Sequence, residues 1–155
     1  MQAREESVEI GALPVRFLEV NGASLAFVEK GEGDAVVFVH GPVCDLRIWL
    51  TQVELFSGKY RAVTYSRRTH WPAKDAKDTA LYSRSSHAED LICFLEALKL
   101  KKTHIVGHSY GGAVSLLAAI QRPDLIASLT LAEPSPFLGL FSNSDLDLVS
   151  RQKIG

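Results

Sequence analysis

Residues 103–119 constrain the fold of this chain more than any other stretch. They read Thr-His-Ile-Val-Gly-His-Ser-Tyr-Gly-Gly-Ala-Val-Ser-Leu-Leu-Ala-Ala, a short apolar run that breaks at glycines and resumes with helical spacing. This pattern predicts a buried strand, a sharp turn and a helix. At the turn, Gly107-His108-Ser109-Tyr110-Gly111 matches the Gly-x-Ser-x-Gly elbow, in which a serine in a strained turn presents its hydroxyl above the end of a parallel sheet.

The two glycines of this motif have a predicted structural role. A Cβ atom at Gly107 or Gly111 would collide with neighbouring backbone where the strand and the helix approach each other. The helix that follows directs its N–H groups and positive dipole end toward the space above the Ser109 hydroxyl. A turn of small residues between two packed elements is the alternative interpretation. The apolar residues on both sides favour the elbow, because that motif requires a strand before it and a helix after it.

Bulk composition narrows the function classes. A chain of 155 residues is long enough for one domain with its own core. Hydrophobic residues make up 46% and the formal net charge is -1, so no nucleic acid or membrane partner is expected. The N-terminus is charged, and no apolar run reaches the ~18 residues of a membrane span, which predicts a cytoplasmic protein. Cys44 and Cys93 form neither a disulfide framework nor a metal-ligand spacing, so no metal is expected.

The rest of the chain alternates strand and helix patterns. Two strand-like runs, 15–20 and 24–30, are joined by Asn21-Gly22, a strong hairpin signal. Apolar runs at 35–39 and 126–132 predict buried strands, and a further strand is predicted at 60–65. Helical patterns lie between them at 45–56 and 86–102. This alternation predicts an α/β sheet with right-handed crossovers. We expect an N-terminal extension at 1–14, a core at 15–136, and the start of a cap or a disordered tail at 137–155.

Two segments outside the elbow carry polar side chains of interest. The loop at 66–79 is either a solvated connection or a wall of the substrate cleft, with Arg67, Arg68, His70 and Trp71 as contacts. Residues 86–89, Ser-His-Ala-Glu, fit a capping box, which places His87 on the surface in the first turn of a helix.

Together these features resemble the α/β-hydrolase superfamily from about residue 15 to residue 136. The resemblance rests on the Asn21-Gly22 hairpin, the His40-Gly41 turn after a buried strand, the elbow, and Arg122-Pro123-Asp124 before the next strand. It implies a mostly parallel sheet with an N-terminal antiparallel hairpin and helices on both faces, with the C-terminal strands and cap of the family absent from the chain.

The resemblance also implies roles for individual residues. Ser109 would be the nucleophile, and the Tyr110 N–H would be one oxyanion-hole donor. A serine at this position argues for acyl transfer through an acyl-enzyme, and against the relatives that use aspartate there, such as haloalkane dehalogenases and epoxide hydrolases. No cofactor is implied.

The chain departs from the family pattern in two places. Relatives usually take the second oxyanion donor from the residue after His-Gly, which here is Pro42 and has no N–H, so either Val43 donates instead or the oxyanion hole is weaker. The family order is serine, acid, histidine, yet no histidine follows His108. Glu133, after the strand that follows the elbow helix, is a possible acid or simply a polar strand end. None of the five histidines is placed as a base by its spacing.

Three hypotheses therefore remain at this point. The first is a serine-dependent hydrolase of a carboxylic ester, or of a related acyl or C–C bond in a small apolar substrate, of which this chain is the N-terminal half. The second is a truncated or split non-catalytic chain. The third is a site completed by a second copy or by a separate C-terminal piece, through the edge of strand 126–132. We expect the 155-residue chain by itself to show little or no esterase turnover.

Overall fold

A single mixed sheet forms the centre of the structure, a computed structural model that describes residues 4–10, 12–73 and 83–134. Its described strands are β1 (Arg4–Ile10), β2 (Leu13–Val20), β3 (Ala23–Lys30), β4 (Ala35–Val39), β5 (Arg61–Tyr65), β6 (Thr103–His108) and β7 (Ile126–Ala132). Its described α-helices are α1 (Leu50–Phe56), α2 (Arg84–Ala97) and α3 (Tyr110–Gln121). The strand order is β1-β2-β3-β5-β4-β6-β7.

The N-terminal part of the sheet is antiparallel. β2 and β3 form the predicted hairpin, and Asn21 and Gly22 at its turn have φ angles of 48° and 71°. Such positive φ angles suit a two-residue hairpin turn and are favourable for asparagine and glycine. No strand was predicted before residue 15, whereas in the structure β1 pairs antiparallel with β2.

The remaining strands are parallel and belong to the predicted α/β arrangement. β4 lies between β5 and β6, and β6 also pairs with β7. Every residue of β4 is buried, as expected for a strand covered on both faces. One apolar cluster packs the sheet against α2 and α3, and a second packs the other face against Leu46, Trp49 and Val53 of the α1 region. The fold class inferred from the sequence, with helices on both faces, is confirmed.

Strand β7 is less buried than its apolar sequence predicted. Its bounds agree with the prediction, but Ala127, Ser128 and Thr130 are exposed and the other residues are only partly buried. Within the part of the chain that the structure describes, β7 pairs on one side only, with β6. The prediction of a fully buried strand is therefore wrong for these residues, because no described element covers its second edge.

Helix α2 begins earlier than the sequence indicated. Its N-cap is Ser83, whose hydroxyl accepts a hydrogen bond from the Ser86 N–H, so the expected capping box at 86–89 does not form the helix start. His87 then lies in the second turn and faces inward, with 0% of its surface exposed. The prediction that His87 is a surface residue is wrong. None of the helices in the described ranges has both the length and the apolarity to cross a membrane.

Candidate active site

Ser109 lies at a sharp turn between β6 and α3. Its φ and ψ angles are 51° and -118°, outside the regions that a serine normally adopts. The Ser109 N–H donates to the carbonyl oxygen of Ala132 at 3.0 Å, and the Ser109 carbonyl accepts from the Gly112 N–H at 3.0 Å. The first bond holds the turn against the end of β7, and the second starts the helix. Such a backbone outlier is maintained only by surrounding structure and is common at functional sites.

Both elbow glycines lie where a side chain does not fit. A Cβ atom at Gly111 would lie 2.4 Å from the Val39 carbonyl oxygen and 2.5 Å from that of His40. A Cβ atom at Gly107 would lie 2.7 Å from the Gly112 Cα atom. In both cases the obstacle is backbone, which cannot move aside as a flexible side chain would. The absence of a Cβ atom therefore lets α3 approach the ends of β4 and β6.

The turn after β4 is held by buried polar contacts. The Arg67 N–H donates to His40 Nε2 at 3.0 Å, so Nδ1 carries the proton and donates to the Gly41 carbonyl oxygen at 2.7 Å. The Arg67 guanidinium donates to the same oxygen, also at 2.7 Å. Burial, reinforced by the nearby charge of Arg67, lowers the pKa of His40 from 6.5 to about 3. His40 is thus a neutral residue that fixes the turn, with both ring nitrogens engaged.

The two predicted oxyanion donors lie on segments that Arg67 connects. Val43, in the turn after Pro42, is 97% exposed. His70 lies between two carbonyl oxygens, with Nε2 3.0 Å from that of Pro42 and Nδ1 3.1 Å from that of Arg68. Tyr110 is the first residue of α3, and the Arg67 guanidinium carbon lies 4.7 Å from the centre of its ring. Tyr110 and Val43 were predicted as donors from the motif and the family resemblance, whereas the contacts of Arg67 with the Gly41 carbonyl and the Tyr110 ring follow no local sequence pattern.

Three further histidines, His108, His104 and His87, make contacts with other side chains. His108 packs near Trp49, with ring centres 6.5 Å apart, on the sheet face opposite α3. His104 Nδ1 shares a hydrogen bond of 2.7 Å with the Ser128 hydroxyl on β7. The ring of His87 meets Tyr110 edge-on, and burial together with the charge of Arg67 lowers the pKa of His87 to about 3.

Glu133 follows β7 directly and is exposed, with a φ of 44°. Ala132, the residue before Glu133, accepts the hydrogen bond from the Ser109 N–H. Glu133 therefore lies next to the elbow, at the end of β7.

Among the described residues, no group of three His, Cys, Asp or Glu side chains is arranged to hold a metal ion.

The loop after β5 is more buried than the sequence suggested. Arg67 and Arg68 are only 2% and 7% exposed. Arg68 forms a buried ion pair with Asp90 of α2, and its Nε donates to that carboxylate at 2.6 Å. The charge of Arg68 is thus directed at α2, and the sequence analysis missed this pair. Trp71 is partly buried, with the Arg47 guanidinium 4.6 Å from the centre of its ring, and residues 74–79 of the predicted loop lie outside the described residues.

The chain is similar in sequence to a known protein family and to several of its members. Residues 34–152 match the family model described as alpha/beta hydrolase fold. An epoxide hydrolase from Caballeronia sordidicola is 35% identical over 108 residues, which are 69% of this chain and 33% of that protein. A 3-oxoadipate enol-lactonase from Acinetobacter baylyi is 33% identical over 98 residues, 63% of this chain and 36% of the relative.

A solved structure shows the same fold. The crystal structure of an epoxide hydrolase from Vigna radiata superimposes with a TM-score of 0.73 at 27% identity, over 77% of this chain and 39% of the other. The chain therefore spans well under half the length of these relatives. The named relatives are hydrolases, which agrees with the class of reaction expected from the elbow.

Proposed function

Because the chain belongs to the alpha/beta hydrolase fold family, we propose that it is the nucleophile-bearing part of a serine-dependent hydrolase that acts on a carboxylic ester or a related acyl compound. The observation that carries the proposal is a serine, Ser109, held at φ 51° where a strand meets a helix. An epoxide hydrolase of this fold is expected to use an aspartate there. The enol-lactonase among the relatives, named for a cyclic ester, supports the same class of bond.

In the proposed reaction the Ser109 Oγ atom attacks the carbonyl carbon of the ester. The hydroxyl proton passes to a base, which later returns it to the leaving alcohol, while a C–O bond forms to the serine and the carbonyl oxygen becomes an oxyanion. The N–H groups of Tyr110 and Val43 then stabilise that charge, which is the usual role of backbone donors at a helix N-terminus. Collapse of the intermediate breaks the bond to the leaving alcohol, and water later hydrolyses the acyl-enzyme.

The base for this reaction is proposed to come from outside the described residues. Burial lowers the pKa of both His40 and His87 to about 3, which makes them weak bases, so neither is poised to accept the serine proton. A C-terminal polypeptide or a second chain would supply the histidine, with Glu133 or a residue of the same polypeptide as its acid. The alternative is a non-catalytic chain, which keeps the elbow but lacks this partner.

Acylation of the serine tests the proposal without requiring turnover. The 155-residue chain is incubated with p-nitrophenyl acetate, and the acetyl adduct is located by mass spectrometry of peptides. We expect the adduct at Ser109 and its loss in Ser109→Ala. Without a positioned histidine, the rate should rise with hydroxide concentration through pH 7–9, whereas a histidine base would give a plateau above its ordinary pKa of about 6.5.

Ser128 provides the matched control, since its hydroxyl hydrogen-bonds a histidine but no elbow holds it. Ser128→Ala should acylate Ser109 at the rate of the unmodified chain. Equal labelling of Ser109→Ala and the unmodified chain would contradict the nucleophile assignment. Robust turnover that disappears on replacing one of the five histidines would contradict the proposal that the base comes from elsewhere.

A further inference from the structure

Arg67 contacts both segments that carry the proposed oxyanion donors, although a buried arginine has no part in the reaction as described so far. Its side chain is 2% exposed, which is rare for arginine and costly unless the charge is well satisfied. Its guanidinium donates to the Gly41 carbonyl oxygen at 2.7 Å, a charge-assisted hydrogen bond of the stronger class.

The loop after β4 needs this support because of its sequence. Pro42 has no N–H, so the second donor of the proposed oxyanion hole is the Val43 N–H, which belongs to the Pro42–Val43 peptide. The carbonyl oxygen of that same peptide lies 3.0 Å from His70 Nε2, and the tautomer of His70 with its proton on Nε2 donates a hydrogen bond to it. In a planar trans peptide the C=O and N–H bonds point in opposite directions, so fixing the carbonyl fixes the direction of the Val43 N–H. The preceding carbonyl, that of Gly41, is fixed by Arg67.

Arg67 also reaches the other donor. Its guanidinium carbon lies 4.7 Å from the centre of the Tyr110 ring, within the range of a cation–π contact. Tyr110 is the first residue of α3, and its N–H is the other donor of the proposed oxyanion hole. Through its own backbone N–H, Arg67 holds His40 as well, at 3.0 Å.

From these contacts we propose that Arg67 is a positioning residue of the oxyanion hole, assisted by His70. It sets the relative placement of the Val43 and Tyr110 N–H groups and so compensates for the proline after His40-Gly41. This inference rests on the proposed function. It predicts that loss of the guanidinium weakens stabilisation of the oxyanion while substrate binding is retained.

The test compares a p-nitrophenyl ester with its thionoester, in which sulfur replaces the carbonyl oxygen. Sulfur is a weaker hydrogen-bond acceptor, so the ratio of the two Ser109 acylation rates reports on the oxyanion hole. In Arg67→Met the oxygen-ester rate should fall ~10-fold or more, while the concentration giving half-maximal rate stays within ~2-fold and the thionoester rate changes less. The oxygen-to-sulfur ratio therefore falls.

Two further variants make the result decisive. Arg67→Lys keeps a charge and one donor and should recover part of the ratio, and it serves in place of Arg67→Met if the latter does not fold. Arg61→Met removes a different arginine, one that lies in β5 and pairs with Glu29, and should leave the ratio unchanged. A folded Arg67 variant with the ratio of the unmodified chain would overturn the inference alone. Unchanged labelling in Ser109→Ala would overturn the proposed function and this inference together.

Discussion

At the carboxyl edge of the sheet, some properties of single residues could be predicted from the sequence and others could not. The elbow could be anticipated, because glycine spacing, a preceding apolar run and a following helical pattern are all local signals. The neutral state of His40 and His87 could not, since it depends on burial by distant elements. His87 illustrates this: it was expected on the surface at a helix start, but the helix begins three residues earlier and the side chain of His87 is buried.

Burial of these two histidines predicts that the fold loses stability in mild acid. Each has a folded-state pKa of about 3, against 6.5 for the exposed side chain. Between these values the unfolded chain binds a proton at each histidine that the folded chain does not bind. The free energy of unfolding should therefore be fully retained above pH 6.5 and fall below it, by up to about 1.4 kcal/mol per pH unit and per histidine.

Urea unfolding at pH 7, 6 and 5 would measure this loss. In the unmodified chain the ring centres of His87 and Tyr110 lie 5.7 Å apart. His87→Phe keeps an aromatic ring beside Tyr110 but removes one protonation site. Its stability should depend less steeply on pH than that of the unmodified chain. Parallel pH dependences in the two proteins would show that His87 is not the group responsible.

At the scale of elements, local patterns located the β2–β3 hairpin, β4, β6 and α3, but not the contacts that join them. β1 was missed because its sequence, Arg-Glu-Glu-Ser-Val-Glu-Ile, is charged and has no turn signal comparable to Asn21-Gly22. The ion pair of Arg68 with Asp90 joins a loop to a helix across 22 positions, so no periodicity reveals it. Asp90 also accepts from the Asn21 side chain at 2.9 Å and so connects the hairpin turn to α2.

Because the Arg68–Asp90 pair is buried, we expect a single substitution in it to destabilise the fold more than the double substitution does. The two side chains are 7% and 1% exposed. Asp90→Leu leaves the Arg68 charge buried without its partner and should destabilise the fold by about 3–5 kcal/mol. Arg68→Met combined with Asp90→Leu should cost less than Asp90→Leu alone, because no unpaired charge is left.

The exposed pair of Lys30 and Glu54 is the control, with side chains 47% and 48% exposed. Glu54→Gln should change the free energy of unfolding by less than about 1 kcal/mol. Chemical unfolding of these three variants, of Arg68→Met alone and of the unmodified chain measures all of these effects. Additive costs for Arg68 and Asp90 would contradict a coupled pair.

At the scale of the whole molecule, the edge formed by β7 predicts association. In the described ranges β7 has a partner only in β6, so a row of backbone N–H and C=O groups on its other side is available. An unprotected parallel edge is a template for pairing with another strand. We propose that a second copy or a C-terminal polypeptide of the hydrolase pairs there, and that the isolated chain self-associates in its absence.

Sedimentation of the 155-residue chain at micromolar concentrations tests this proposal. Thr130→Lys puts a charge on an exposed position of β7 and should shift the population toward monomer, whereas Leu129 packs against the core and is less suitable. Ala73→Lys adds the same charge at an exposed loop position away from that edge and should leave association unchanged. A sharp monomeric species of the unmodified chain, with cooperative thermal unfolding, would refute the proposal, because an edge that remains unpaired in a stable monomer needs no partner.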